Sequence, residues 1–563
     1  MKYKNIIFLV MDSLSHNNID YLKKNLNIID TYKDNALIFD NVFSQAPYTE
    51  AALGALLTGT NVLDYEGYLM NLKHRKYTIN EIFKEKGYKT FNSIWYYPNT
   101  LSFKRGVDEY YYIHSLSYST VYDYRIKYYI NLYKNNQITE EHNKQLIELF
   151  DDYFKVMNDY IYDYFNNSYR FDYLRKHTNL NELNFKKYKD IMIDEEKCYN
   201  DDKNVYIYEV LEDKRKKLYE IKDVKFTETN AYKEIKSKLI SKCLTQSGIQ
   251  VLRILKNSFK NRSSKVLKKS IADAFNKKDV SKLKHGIMYL LNYTGKPYYD
   301  MATTKSNLDY IYEYLKDNKE NNNFIYLQTM DTHFPFNFIS YDVNDTDNIN
   351  SEFNDFNNLI KEKNSTNVFY EASIRYSNKK VIDFVEKLKE DGIYDETLIV
   401  ITSDHGTSYL GEIYRESKVC TMYDENYKTP LIFLGKDIKG KVCNNYGSAI
   451  DIIPTILELN DDDFTCYNLD GKSILKEERD FITLEYMGSG CPDYILRNKQ
   501  IAVRSKKYKL VSEVNLDKTY EIVAIYNIKE DPMEMDNLLN KVGIYEEIDD
   551  LIKYLESRIN KMR

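Results

Sequence analysis

Apolar positions along this chain do not alternate with polar ones; they gather in short unbroken runs that stop on acids. NIIFLVM, residues 5–11, ends at Asp12, and TLIVIT, residues 397–402, runs into Ser403, Asp404, His405 and Gly406. NFIYLQTM, residues 323–330, is followed by Asp331 and His333. Runs of this kind mark strands covered on both faces, as in a parallel sheet flanked by helices. Between them lie helical patterns, TINEIFKEKGYKT closing at Gly87 and NKKVIDFVEKLKEDG closing at Gly392. A glycine just past the last turn is a common helix stop. Strands alternating with helices predict an α/β fold with a mainly parallel sheet. Polar side chains at the carboxyl ends of such strands are where the active sites of these folds form.

Two regions break the alternation. Residues 115–300 are rich in Tyr, Lys and Asn and carry helical stretches such as EEHNKQLIELFDDYFKVMNDYIYDYF, which predicts a helical insertion. From 476 to 563, the segments FITLEYM, QIAVRS, YKLVSEV and YEIVAIYNI, then a last helix, predict a small C-terminal α+β subdomain. Residues 1–114 and 301–475 remain as the catalytic α/β core. Within the insertion, residues 251–285 hold eleven Lys or Arg against Asp273 and Asp279, a local excess of nine positive charges. A solvated helix face explains such a run. Steering of an anionic substrate, or peripheral contact with an acidic membrane surface, is the alternative.

Composition narrows the class. The 563 residues carry a net charge of −5, which gives no global field for nucleic acid. Six cysteines without CxxC spacing fit reduced thiols better than disulfides or a zinc ribbon. The apolar run at the N-terminus, Ile6 to Met11, is shorter than the ~7–15 residues of an export signal. No stretch approaches the ~18–20 apolar residues of a membrane span. These features predict a cytoplasmic protein, and the pattern specifies no oligomeric state.

QAPYTEAALGALLTG, residues 45–59, places Thr49 at the head of a small, apolar helical stretch. Alone, it reads as a helix N-cap. Asp12, Asp404 and His405 change that reading, because neighbouring strands would gather all four side chains at one sheet edge. Two carboxylates, an imidazole and a hydroxyl suit Mn²⁺, Zn²⁺ or Mg²⁺. A cation beside the Thr49 oxygen favours its ionised, nucleophilic form. The helix N-terminus adds N–H donors for an incoming anion. His333 is a further donor to the ester or leaving group.

Taken in order, the motifs resemble the sulfatase family of the alkaline phosphatase superfamily. The resemblance rests on IIFLVMDSL, APYTEAALGALLTG, EKGYKT, RGVDEYY, DTHFPF, TLIVITSDHGTSYLGE, MYDENYKTPLIFLG, IDIIPTILEL and IYNIKEDPMEMDNLL. It implies a three-layer α/β/α sandwich and metal ligation by Asp12, Thr49, Asp404 and His405, with Thr49 also the nucleophile. It places His333, Lys418 and Trp95 on the substrate side. One divalent ion is implied, with Mn²⁺ the first choice and Zn²⁺, Mg²⁺ or Ca²⁺ as alternatives. No histidine follows His405, which leaves no downstream histidine for a two-metal site.

One departure directs the chemistry. Sulfatases carry a Cys or Ser, oxidised to formylglycine, where this chain reads Thr49-Glu50-Ala51-Ala52-Leu53. Threonine cannot become that aldehyde. In this respect the chain resembles the phosphoglycerol and phosphoethanolamine transferases, which use a phospho-threonine. The Asp-Asp pair of calcium-dependent sulfatases is Met11-Asp12 here, which weakens that branch. The expected activity is cleavage or transfer of a phosphodiester-linked group to a glycan or to water. Sulfate-ester or phosphonate-monoester hydrolysis is the alternative within enzymes, and a non-catalytic glycan-binding relative the alternative outside them.

Overall fold

A computed structural model describes residues 2–16, 23–24, 26–65, 72, 74–94, 101–112, 126, 129–130, 132–166, 182–212, 214–215, 304–333, 368–407, 422–486 and 499–562. The first half of the chain supplies strands β1 (Asn5–Met11), β2 (Ala36–Phe43), β3 (Lys89–Ile94) and β4 (Glu109–Tyr112). It also supplies helices α1 (Thr49–Thr58), α2 (Ile79–Glu85), α3 (Glu140–Asn166), α4 (Glu182–Asp201) and α5 (Lys203–Leu211). Next come α6 (Thr304–Asp317), β5 (Asn323–Thr329), α7 (Val368–Glu390), β6 (Thr397–Thr402), β7 (Lys428–Leu434), β8 (Lys441–Ser448) and α8 (Ile452–Leu459). The chain finishes with β9 (Ile482–Tyr486), β10 (Lys499–Arg504), β11 (Lys509–Val514), β12 (Tyr520–Tyr526) and α9 (Asp549–Lys561).

Strands β1 to β8 form one sheet in the order β4-β3-β5-β1-β6-β7-β2-β8. Its pairs are parallel, except that β7 runs antiparallel to both β6 and β2. The three acid-tipped runs are therefore neighbours, with β1 held between β5 and β6. Every residue of β1, β5 and β6 is buried. One face, with Ile7, Leu9, Ile325 and Ile399, packs on α6 and α7 through residues such as Leu308, Ile311, Ile374 and Phe384. The other, with Phe8, Val10, Tyr326 and Val400, packs on α1, α2 and α8 through Leu53, Leu56, Ile82 and Ile453. The result is the three-layer α/β/α sandwich.

Local signals set the helix ends. Thr78 and Glu81 form a reciprocal capping box at the start of α2, and Gly87 follows its end at φ +82°. Helix α1 closes on Gly59 at φ +61°. Its leucines face the large sheet, while Ala51, Ala52 and Ala55 join a second core with Ile501, Val503 and Leu555 from β10 and α9. Small side chains let this helix lie between two layers. Strands β9 to β12 form an antiparallel sheet of their own. Helices α3, α4 and α5 share a separate core that includes Leu146, Phe150, Phe154, Met192, Tyr199 and Tyr206. Residues 251–285 lie outside the described residues. No helix among the described residues is long and apolar enough to cross a membrane.

Candidate active site

Asp12 ends β1, Asp404 and His405 follow β6, and Thr49 opens α1. Asp12 and Asp404 continue the parity of Val10 and Val400, on the face of the sheet that packs against α1. Thr49 Oγ1 donates to Asp12 Oδ2 at 3.1 Å and lies 3.3 Å from His405 Nε2. Single ligand atoms of Asp12, Asp404 and His405 fall within 4.8 Å of one another, and all three residues are buried.

The cap expectation for Thr49 needs correction. Tyr48, in extended backbone, occupies the N-cap without a side-chain cap bond, and Thr49 is the first helical residue. Its hydroxyl is directed at the acids because the helix start abuts the end of β1.

Three further residues hold the cluster and were not singled out from the sequence. Ser13 sits at φ +62°, a left-handed conformation that is uncommon outside glycine. There its N–H donates to Asp404 Oδ1 at 3.1 Å and its hydroxyl to Asp12 Oδ1 at 2.8 Å. The buried Tyr370 hydroxyl donates to the Ser13 carbonyl and accepts from Ser15 N–H, both at 2.7 Å. Gln328 Nε2 donates to Asp12 Oδ2 at 2.9 Å. Only Gln328 left a sequence signal, as a polar side chain inside an apolar strand.

The glycine after His405 has a steric cause. A Cβ on Gly406 would stand 2.3 Å from the Glu425 carbonyl oxygen. The Gly406 carbonyl accepts from His405 Nδ1 at 2.6 Å, which leaves the Nε2 lone pair facing the acids.

Burial, and then the Asp12 charge, push the Asp404 carboxyl above its ordinary range, against the opposing His405 imidazole and Ser13 N–H. Asp404 Oδ2 is buried without a hydrogen-bond partner among the described residues. A buried carboxylate oxygen in that state is stable only with a cation or a proton. Two carboxylates, an imidazole nitrogen and a hydroxyl are a donor set for a hard or borderline divalent ion, so the residues present fit one.

His333 follows Thr332, whose hydroxyl donates to the Asp12 carbonyl at 2.6 Å, and its own N–H donates to Met330 O at 3.0 Å. This anchors its backbone at the same sheet edge, with the ring half-buried. Trp95 and Lys418 lie outside the described residues. The structure thus brings Asp12, Thr49, Asp404 and His405 into one cluster and anchors His333 beside it.

A mainly parallel α/β sandwich with an Asp/Asp/His cluster at its strand ends defines a member of the alkaline phosphatase superfamily. Within it, the sulfatase family model matches residues 4–207 and 216–461, and the chain belongs to that family. A second model, the C-terminal part of N-sulphoglucosamine sulphohydrolase, matches residues 417–563. Lipoteichoic acid synthase 2 of Bacillus subtilis is 31% identical over 163 residues, covering 27% of this chain and 23% of that protein. Arylsulfatase K of Bos taurus is 23% identical over 191 residues, covering 32% of this chain and 34% of that one. The matched regions therefore span 23% and 34% of these relatives' own length. The solved structure of Ps i-CgsB superposes with a TM-score of 0.52 at 15% identity, covering 100% of this chain and 94% of the other. That protein has also been solved with k-i-k-neocarrahexaose, and the complex superposes with a TM-score of 0.51 at 16% identity over 100% and 94%. Family members use metal ions, and the Asp/Asp/His cluster could hold one here.

Proposed function

We propose that this sulfatase-family protein is a metal-dependent phosphotransferase or phosphodiesterase whose nucleophile is Thr49. The observation that carries the reading is the Thr49 hydroxyl, hydrogen-bonded to Asp12 and within reach of His405. A threonine there excludes formylglycine, and the similarity to a lipoteichoic acid synthase favours phosphorus over sulfur. Asp12, Asp404, His405 and Thr49 would hold one divalent ion, with Mn²⁺ first. When bound, the ion supplies Lewis-acid charge that eases deprotonation of Thr49 and offsets charge on the ester.

The protein's own groups supply the rest. Asp12 Oδ2 lies in line to accept the Thr49 proton. Thr49 Oγ1 forms the bond to phosphorus, and the bond to the leaving alcohol oxygen breaks. The α1 N–H groups and His333 would meet the ester oxygens, and His333 gives a proton to the leaving oxygen. A glycan hydroxyl or water then attacks phosphorus and gives its proton to His333, the phosphorus–Oγ1 bond breaks, and Thr49 takes its proton back from Asp12. The substrate class is an anionic phosphodiester carrying a phosphoglycerol- or phosphoethanolamine-like group, handled in the cytoplasm.

Thr49→Ala is expected to lower turnover of bis-p-nitrophenyl phosphate by on the order of 10³-fold or more, as loss of a covalent nucleophile does. Intact-mass spectrometry of the wild type should trap a phosphoryl adduct on Thr49. Full activity in the alanine variant would eliminate the nucleophile assignment. The C-terminal match favours a sulfate ester as the second reading, and preferential turnover of p-nitrophenyl sulfate would replace the first with it.

A further inference from the structure

We infer that Gln328 is a positioning residue that holds the Asp12 carboxylate in the orientation of a metal ligand. The inference rests on the metal-site reading above and assigns a role to a residue outside the ligand set.

Gln328 lies on β5, with Val10 of β1 as its register partner, so its side chain leaves the sheet on the same face as Asp12 and Thr49. It is fully buried. Its Nε2 donates to Asp12 Oδ2 at 2.9 Å, the oxygen that also accepts from Thr49 Oγ1. The other oxygen, Oδ1, accepts from Ser13 Oγ at 2.8 Å. Asp12 is thus fixed from two elements, by its chain neighbour on one oxygen and by Gln328 on the other.

The amide orientation carries the argument further. Gln328 Oε1 is buried and has no hydrogen-bond partner among the described residues. An unpaired buried carbonyl is unfavourable. The amide nevertheless keeps its N–H on Asp12 Oδ2. A neutral donor also restrains Asp12 without supplying the fixed positive charge that a Lys or Arg would bring, which would compete with a divalent ion. When Thr49 gives up its proton, Gln328 remains as the donor that keeps Oδ2 in place.

The test is equilibrium Mn²⁺ binding by calorimetry to four proteins: wild type, Asp404→Ala, Gln328→Met and Tyr326→Phe. Methionine keeps the length and volume of glutamine and removes the donor. Tyr326 lies two residues earlier on the same strand face and serves as the packing control. Removing a partner that orients a metal ligand typically weakens affinity by about 10–100-fold, which is the loss expected for Gln328→Met. Asp404→Ala should abolish binding, and Tyr326→Phe should bind as wild type does. No Mn²⁺ binding to wild type would overturn the metal-site reading itself. Wild-type affinity in Gln328→Met, with binding lost in Asp404→Ala, would overturn this inference alone. An equal loss in Tyr326→Phe would assign the effect to packing and overturn it as well. Should the methionine variant not fold, Gln328→Leu makes the same deletion. Failure of both to fold would assign Gln328 to core stability and end the inference.

Discussion

Two clusters of buried acids in this molecule are balanced in opposite ways. Between the large sheet and β10–β11, Asp424 receives Arg504 Nε at 2.6 Å and Lys509 Nζ at 2.8 Å, and Glu534 receives the same Lys509 at 2.7 Å. Burial alone would raise Asp424, yet the Arg504 and Lys509 charges hold it far below the usual carboxylate range. At the strand ends, Asp12, Asp404 and Asp331 pair with no Lys or Arg among the described residues. Their partners are neutral donors and one imidazole. The first cluster carries its counter-charges within the chain and joins two layers. The second leaves a place for a charge from outside, and the Thr49 hydroxyl stands beside it. Burial of acids does not mark a site; the missing fixed cation does.

The comparison can be broken most severely at Lys509. Lys509→Met takes the counter-charge from Glu534 and leaves Asp424 with Arg504 alone, and loss of one partner from a buried pair costs about 3–5 kcal/mol. Urea unfolding should show that loss with or without Mn²⁺. A variant as stable as wild type would mean the network is not a counter-charge device.

Asp404→Asn tests the other side. Without metal, the variant should be at least as stable as wild type, because repulsion with Asp12 is gone. Wild type should gain about 2.7 kcal/mol at a Mn²⁺ concentration near 100 times Kd, and the variant should not. An undiminished Mn²⁺ shift in its melting curve would place the ion elsewhere.

A pH dependence is the third test. Burial pushes Asp331 up to about 6, although Thr304 N–H and its hydroxyl, both at 2.6 Å, oppose the rise. A raised carboxyl contributes stability that is complete below its unfolded value of 3.8 and lost as pH climbs through about 6. The loss is on the order of 3 kcal/mol. Asp331→Asn should flatten metal-free stability between those values, and an unchanged slope would remove Asp331 as its cause.

The acid-tipped runs made β1, β5 and β6 legible, because a strand that must be apolar on both faces has few other readings. Thr49, Asp12, Asp404 and His405 were legible for the same reason: each stands where an apolar run stops or a helix starts. Ser13 was not. It looks like any loop serine until its backbone is seen in the left-handed region, clasping two carboxylates from two strands. Gln328 is 316 residues from Asp12 in the chain, and only the pairing of β5 with β1 makes them neighbours. The antiparallel β7 was equally hidden, since an apolar strand reads the same in either direction.

By itself, the sequence determined which segments are buried strands, where they stop, and that a threonine rather than a formylglycine precursor heads α1. These are local consequences of apolar burial and of side-chain chemistry. Tertiary structure alone decided the strand order, and with it which neutral donors meet Asp12 and which acids find a lysine. Charge balance in a buried site depends on contacts between segments hundreds of residues apart, and no local pattern encodes those distances.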